Sequence, residues 1–484
     1  MKGVDDFRMH IDGKWVDSES GNVFEATSPS TGEAIGTLPE GTREDAQRAI
    51  GAANAAWQDW AARSAFERAA VMVRVAGVIQ ERRDDLARTL TLDQGKPLRA
   101  EAFDEVDELV VYFEMAAADA KRLEGLMPPS VDADKRILVY RVPRGVVGVI
   151  TPWNWPYTMP AEIVAPALAA GNALVWVPAP TTSVCAVKLA ECLVEADFPA
   201  GVFNLVTGPG PVVGDEVAAN AGTHAVGFIG SIATGHRVAE RAAGKELLLE
   251  MGGNGPLVIL EDGDLDAAVS ATLEACYLNA GQSCTAGERI LVHEDAHDEY
   301  VERLTAAVGR EIKLGDPFDD ATTMGPLNNE PTVDKTERHV GDAADRGASV
   351  VTGGSRAPKL GSRLFFEPTV LDGVTEEMEV AREETFGPVA PISTIRGEDE
   401  AIRIVNSSPY GLLSSVFTRD LRRGLRFAES VRTGWVNVNE GTNYWESHLP
   451  FGGRAGSKSG VGRVGGRFSL ERLTELKTVV VKMR

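Results

Sequence analysis

From Arg43 to about Arg122, apolar residues recur at helical spacing through EDAQRAIGAANAAWQDW and then SAFERAAVMVRVAGVIQERRDDLARTLTLDQGK, which Gly95 and Pro97 close. That recurrence predicts amphipathic helices with one face in a core. The period then shortens, and RILVYRVPRGVVGVI reads as strands. Beyond it, strand and helix signals alternate: NALVWV with TSVCAVKLAECLVEA, GVFNLVTG with DEVAANAG, and HAVGFIG with HRVAERAA. Such alternation predicts an α/β fold on a doubly wound sheet. A second α/β stretch runs from about Lys245 to Asn437 and contains PLVILED, RILVHED, VERLTAAVG and SSVFTRD. No internal repeat or low-complexity linker separates the two.

With 484 residues the chain has room for about three domains of roughly 150 residues each. An apolar share of 43% and a charged share of 25% are those of a soluble globular protein. The net charge of -22 works against binding a phosphate polyanion over a broad surface, so no nucleic-acid partner is expected. The start, MKGVDDFRMHIDGKWV, has no continuous apolar h-region, and no apolar run approaches the length of a membrane span. A cytoplasmic protein without a membrane partner is the expectation.

Cysteines occur at positions 185, 192, 276 and 284, with no C-x-x-C pair, so reduced thiols are expected rather than disulfides or a cysteine zinc site. Cys185 and Cys192 share a helical stripe with Ala, Val and Leu, and Cys276 also has apolar neighbours; these read as core thiols. Cys284 differs. It follows Gly281, Gln282 and Ser283 in YLNAGQSCTAGERI, where an apolar helical pattern ends at Gly281, an address that suits a reactive thiol. A free thiol is only a few per cent thiolate at neutral pH, so a nucleophile there needs local N–H donors or a nearby base. Glu250 closes a strand in LLLEMGGNGP, beside glycines that permit close approach, and reads either as a base or as a solvated turn carboxylate. Asn154 lies between two tryptophans in GVITPWNWP, where its amide is either a carbonyl-polarising donor or a turn residue.

Two glycine turns are candidate phosphate sites. TGPGPVVGDE reads G-x-G-x-x-x-G, one residue too long for a dinucleotide fingerprint. AVGFIGSIATGHRVAERAA places Gly230, Ser231, Thr234 and Gly235 at a strand-to-helix junction, where free N–H groups favour pyrophosphate. His236 and Arg237 stand where a nucleotide triphosphatase needs Lys and Ser or Thr. The segment from His293 to His297 formally matches the zinc-protease pattern H-E-x-x-H, but RILV leads into His293 as a strand and Asp295 reads as a helix N-cap. The two imidazoles are therefore expected to straddle a strand-to-helix junction, which argues against a zinc hydrolase and leaves no expected metal site.

TPWNWP, PALAAGN, GSIATG, LEMGGNGP, NAGQSC, GDP at Gly315, MGPL, EETFGPV, YGL, PFGG and SGVGR occur in an order and spacing that resemble the aldehyde dehydrogenase superfamily from about Asp12 to the C-terminus. GGN, NAGQSC and EETFGPVAPI look most like its succinate-semialdehyde branch. The resemblance implies an NAD- or NADP-dependent oxidation of an aldehyde to a carboxylic acid through a thiohemiacetal and a thioester. In it Cys284 is the nucleophile, the Asn154 amide and the Cys284 N–H hold the oxyanion, and Glu250 activates water. It also implies that Gly230, Ser231, Gly235, Glu384, Phe386, Trp153 and Pro178 contact the cofactor.

Departures from the family pattern modify these expectations. Val177 and Pro180 stand where Lys and often Glu contact the adenosine ribose, which leaves NAD versus NADP open and keeps a non-catalytic relative of the same fold in view. Ile163 replaces a usual Lys. Glu162 and Leu278 replace arginines that hold a substrate carboxylate in some members, so a neutral or cationic aldehyde is expected, with a carboxylated aldehyde as the alternative. By position, Trp155, Met159, Leu278, Trp445 and Phe451 would line an apolar tunnel, with Glu162 and Asn443 as polar points. The implied architecture is a Rossmann-like cofactor domain (1–120, 143–246 and 439–457), an α/β catalytic domain (247–438) and a small β oligomerisation extension (121–142 and 458–484). The strand-like KTVVVKM then implies a homodimer or homotetramer, because an exposed edge of that kind needs cover.

Overall fold

The alternating strand and helix signals build two sheets in the computed structural model, which describes residues 5–484. One sheet has eight strands, ordered Gly460–Val461, Glu246–Met251, Ala225–Gly230, Val146–Ile150, Ala173–Val177, Phe203–Leu205, Met9–Ile11 and Lys14–Val16. Its five central strands run parallel, and the flanking pairs are antiparallel. The other sheet has seven strands, ordered Ser349–Thr352, Thr369–Asp372, Val389–Ile395, Gly287–His293, Gly255–Ile259, Leu413–Phe417 and Trp435–Val438. Both are mixed α/β sheets whose inner strands are buried along their length, as expected when helices cover both faces.

Strand order locates the site. From Val146–Ile150 the chain winds outward through Ala173–Val177 and Phe203–Leu205, then returns to the other side at Ala225–Gly230. The crevice at such a reversal, outside the strand C-termini, is where doubly wound sheets bind ligands. The loops there are TPWNWP, with Asn154, and the Gly230–Ser231 turn. The last parallel strand, Glu246–Met251, passes through Gly252, Gly253 and Asn254 directly into the first strand of the second sheet, Gly255–Ile259. C-terminal strand ends of one sheet therefore face N-terminal approaches of the other.

The helix Thr158–Ala170 lies under this crevice with every residue buried. Its N-terminal amides are capped from elsewhere: the Glu105 carboxylate accepts from Tyr157 N at 3.0 Å and Thr158 N at 3.4 Å. Glu105 also holds Lys96, at 2.5 Å, in a fully buried pair, and the Lys96 Nζ lies 3.1 Å from the centroid of the Trp155 ring. Burial pulls the Lys96 ammonium below its ordinary pKa, against the opposing pull of Glu105 and Glu101.

RILVYRVPRGVVGVI divides between two sheets. Lys135–Pro143 leaves the core and pairs antiparallel with Thr474–Lys482, and Val146–Ile150 enters the large sheet. The ribbon keeps Leu476, Val480 and Val481 exposed. Among the described residues no helix is long and apolar enough to cross a membrane.

Removing the carboxylate from the buried pair leaves an unpaired charge. Glu105→Ala is expected to destabilise the protein by about 3–5 kcal/mol, read as a lowered thermal midpoint; a change within about 0.5 kcal/mol would contradict the packing described.

Candidate active site

The helix Leu265–Tyr277 stops short of Gly281, where its apolar pattern ends. Asn279, Ala280 and Gly281 follow with φ of 51°, 53° and 74°. Left-handed backbone costs roughly 1–2 kcal/mol at a non-glycine residue, so neighbours must impose it. They do so from three directions. Both oxygens of Glu101 lie 3.1 Å from Asn279 N, Gln94 Nε2 donates to Asn279 Oδ1 at 2.9 Å, and Asn279 Nδ2 donates to the Asn154 carbonyl at 2.8 Å. Gln282 completes the clamp, donating to Asn279 O at 2.8 Å and accepting from Asn328 N at 2.8 Å. Gly281 is required as glycine, since a Cβ would meet Gly387 O at 2.1 Å.

This turn delivers Cys284 into a cavity. Cys185, Cys192 and Cys276 are buried core thiols, and Cys284 alone keeps a partly open face. Asn154 Nδ2 donates to Gln282 O at 3.1 Å, which orients the amide beside the Cys284 loop. Among the described residues the Cys284 N–H donates to no other group. Burial first, then Glu384, Glu250 and Glu162, push the Cys284 thiol well above its ordinary pKa, and its own backbone N–H works the other way. The resting group is a thiol.

Glu250 is buried at the end of its strand, and neither carboxyl oxygen has a hydrogen-bond partner. Space is kept for it by Gly452, where a Cβ would lie 2.5 Å from Glu250 Oε1. Burial and the nearby Glu162 hold its proton tightly, opposed by Arg463. An enclosed carboxyl without a partner is a group built to meet water or a ligand.

Glu162 projects from the buried helix and accepts from the Tyr112 hydroxyl at 2.9 Å. Burial pushes it up to about 8, the Tyr112 bond lowers it and Glu108 raises it. Glu108 on the same wall is itself pushed up to about 7, by burial and Glu105 against Lys96. Glu162, expected as a polar point of the tunnel, lines the cavity with its carboxyl raised by burial toward the protonated form. The burial that neutralises it also disfavours an incoming carboxylate.

Toward the other end, Ser231 caps the helix Ile232–Arg241, its Oγ accepting from Thr234 N at 3.4 Å. Glu384 Oε1 accepts from Gly253 N at 2.9 Å, and a Cβ on Gly252 would sit 2.6 Å from both Glu384 oxygens. Burial raises the Glu384 carboxyl and Lys335 lowers it. Phe386, at φ 61°, meets Trp153 edge-on with centroids 5.5 Å apart.

Asn154, Glu250 and Cys284 share one cavity of about 330 Å³ with Gly230, Ser231, Glu384, Phe386, Trp153, Trp155, Met159, Glu162, Leu278, Asn443, Trp445 and Phe451. Gly235 and Pro178 do not line it. Gly235 packs against Met251, where a Cβ would approach the sulfur to 2.1 Å, and Pro178 is buried after its strand. Ile163 is core, filling the space beside Gly227. The other glycine turn, around Gly210–Gly214, lies away from the cavity. Sequence reasoning missed Lys335, Glu108, Gln94, Glu101 and Asn279. Lys335 and Glu108 look like solvent-facing helix positions locally, and the remaining three act through partners distant in the chain.

Residues 15–479 match the aldehyde dehydrogenase family. The chain belongs to that family. This aldehyde dehydrogenase is 39% identical over 473 residues to the succinate-semialdehyde dehydrogenase [NADP(+)] GabD of Escherichia coli (strain K12), covering 97% of each chain. It is 37% identical over 479 residues to a betaine aldehyde dehydrogenase of Bacillus subtilis (strain 168), covering 97% of this chain and 96% of that one. A crystal structure of succinate-semialdehyde dehydrogenase from Burkholderia pseudomallei superposes with a TM-score of 0.95 at 40% identity, covering 98% of both chains.

The H-E-x-x-H segment of this aldehyde dehydrogenase does straddle a junction: His293 ends the strand Gly287–His293 and His297 opens the helix His297–Glu311. Their Nε2 atoms bond to different neighbours, the Arg396 carbonyl at 3.1 Å and Asp372 at 2.8 Å. Asp295 is not the N-cap, as expected from sequence; Ala296 holds that place, because the Asp295 N–H is drawn back to His293 Nδ1 at 3.2 Å.

Iodoacetamide followed by peptide mass spectrometry is expected to label Cys284 and spare the three core cysteines. The rate should still be rising above about pH 9, because alkylation needs the thiolate. A plateau below about pH 8, or labelling of Cys276 in the folded enzyme, would contradict the geometry.

Proposed function

We propose that this aldehyde dehydrogenase oxidises a neutral or cationic aldehyde to a carboxylic acid with Cys284 as nucleophile and Glu250 as the base for hydrolysis. The observation that carries the reading is a pair: a single partly open thiol and a partnerless buried carboxyl facing one cavity beside the oriented amide of Asn154. Release of the thiol proton to solvent water makes Cys284 nucleophilic, and its sulfur adds to the aldehyde carbon. The Asn154 amide and the free Cys284 N–H stabilise the oxyanion as charge develops on it. Gly230, Ser231 and Glu384 would hold NAD or NADP, which would supply the acceptor for the hydride that leaves that carbon. Glu250 then removes a proton from the water that attacks the thioester.

The residues present fit a dinucleotide. Gly230 and Ser231 offer a helix N-terminus of the kind that holds pyrophosphate, and Glu384, enclosed and bonded through one oxygen to Gly253, suits ribose hydroxyls. Val177 is buried and Pro180 exposed, so neither supplies the usual ribose contact, and both NAD and NADP belong in the test. The exposed apolar positions of the Thr474–Lys482 ribbon support assembly into a dimer or tetramer.

Substrate charge divides the relatives, and the cavity favours the neutral or cationic side. Its substrate end has Trp155, Trp445 and Phe451 with Glu108 and Glu162, and burial already holds those carboxyls above their ordinary range. A carboxylated aldehyde, the second reading, is favoured by the succinate-semialdehyde relatives.

Cys284→Ser is expected to abolish aldehyde oxidation and leave cofactor affinity, measured by fluorescence quenching, within about twofold; substantial residual turnover would refute the role. Because Glu162 ionises above about 8, the kcat/KM ratio of a cationic to a carboxylated aldehyde should rise about tenfold from about pH 6 to about pH 9, and Glu162→Gln should flatten that rise. A carboxylated aldehyde preferred at every pH would overturn the substrate reading.

A further inference from the structure

Hydrolysis leaves Glu250 with a proton that must depart before the next turnover. Glu250 has no hydrogen-bond partner among the described residues. One side chain bounds two cavities. Glu162 lines the cavity of Cys284 and Glu250, and it also bounds a void of about 10 Å³ on its other side, together with Tyr112, Met115, Ala116, Pro166, Gly465 and Gly466. A void of that size holds about one water molecule. Met115 and Gly466 are partly exposed, so this water would sit next to the surface.

We propose that the Glu162 carboxyl and the Tyr112 hydroxyl conduct the Glu250 proton through the side wall to water in that small void. The proposal rests on the hydrolytic reading of Glu250. Tyr112 is buried on the helix Phe103–Ala120 and its hydroxyl donates to Glu162 Oε1 at 2.9 Å, while among the described residues the other Glu162 oxygen has no hydrogen bond. The proton on Glu250 passes to that free oxygen. With the Tyr112 hydroxyl turned toward the water, Glu162 passes a proton on Oε1 to the Tyr112 oxygen as it takes up the Glu250 proton on its other oxygen, the Tyr112 hydroxyl proton moves to the water, and rotation of both the hydroxyl and the carboxyl resets the pair. One proton travels outward, no heavy-atom bond changes and no oxidant or reductant takes part. Burial and the nearby Glu162 raise the Glu250 carboxyl, and burial raises Glu162 as well, so both groups favour the protonated form that a relay hands on. Ile163, next in the helix, is buried against Gly227 and carries no proton.

The test compares the native enzyme with Tyr112→Phe and Glu162→Gln by rapid quench, following formation and decay of the acyl group on the Cys284 peptide by mass. Tyr112→Phe should acylate at the native rate, keep the KM for aldehyde within about twofold and the thermal midpoint unchanged, and lose the acyl group about tenfold more slowly; Glu162→Gln should show the same slow loss of the acyl group whatever its KM. Unchanged decay in both variants, or a loss confined to KM, would overturn the relay while leaving the hydrolytic reading intact. Absence of an acyl-enzyme in the native protein would remove the hydrolytic reading, and the relay with it.

Discussion

Asn279 is bonded at the same time to Glu101 and Gln94 from the helical layer, to the backbone of Asn154 after a strand of the first sheet, and to Gln282 in the Cys284 loop. The site depends on that junction. It imposes the left-handed run from Asn279 to Gly281, the run aims Cys284 into the cavity, and the Gln282 carbonyl within the same network holds the Asn154 amide. The Cys284 thiol and the Asn154 amide are therefore positioned by one set of hydrogen bonds rather than by two independent loops. One atom of a clamp residue, Gln94 Oε1, has no hydrogen-bond partner among the described residues.

The cavity this junction serves sets Glu108, Glu162, Glu250 and Glu384 among apolar side chains. Cys284, Glu250 and Glu162 are all held toward their protonated forms by burial, and each carboxyl reinforces the effect on its neighbours. Protons are thus stored at the reacting centre and must be moved on demand. The same condition bears on substrate choice, since a site that resists its own negative charges resists an added one.

Much of this was legible from the chain itself. The alternation of strands and helices gave the doubly wound class, and the neighbours of Cys284 separated it from three cysteines set in apolar stripes. Glu250 and Asn154 were marked by their places at strand ends. The clamp was not legible, because Glu101, Gln94 and Asn279 are far apart in sequence and Asn279 looks like the tail of a helix. Gly235 and Pro178 carried the motif but pack away from the cavity, a distinction made by Met251 and the strand behind them. The protonation of Glu162 also lay beyond the sequence, since it arises from enclosure by elements that the local pattern does not identify.

The account comes down to a carbon–sulfur bond at one residue, made under an amide and broken by water that one carboxyl activates. Glu250→Gln keeps the shape of the site and removes the base. Peptide mass spectrometry of that variant after incubation with aldehyde and oxidised cofactor measures the bond directly. An acyl group of the substrate's mass should accumulate on the peptide carrying Cys284; an unmodified Cys284 peptide, or an adduct elsewhere in the chain, would contradict the account.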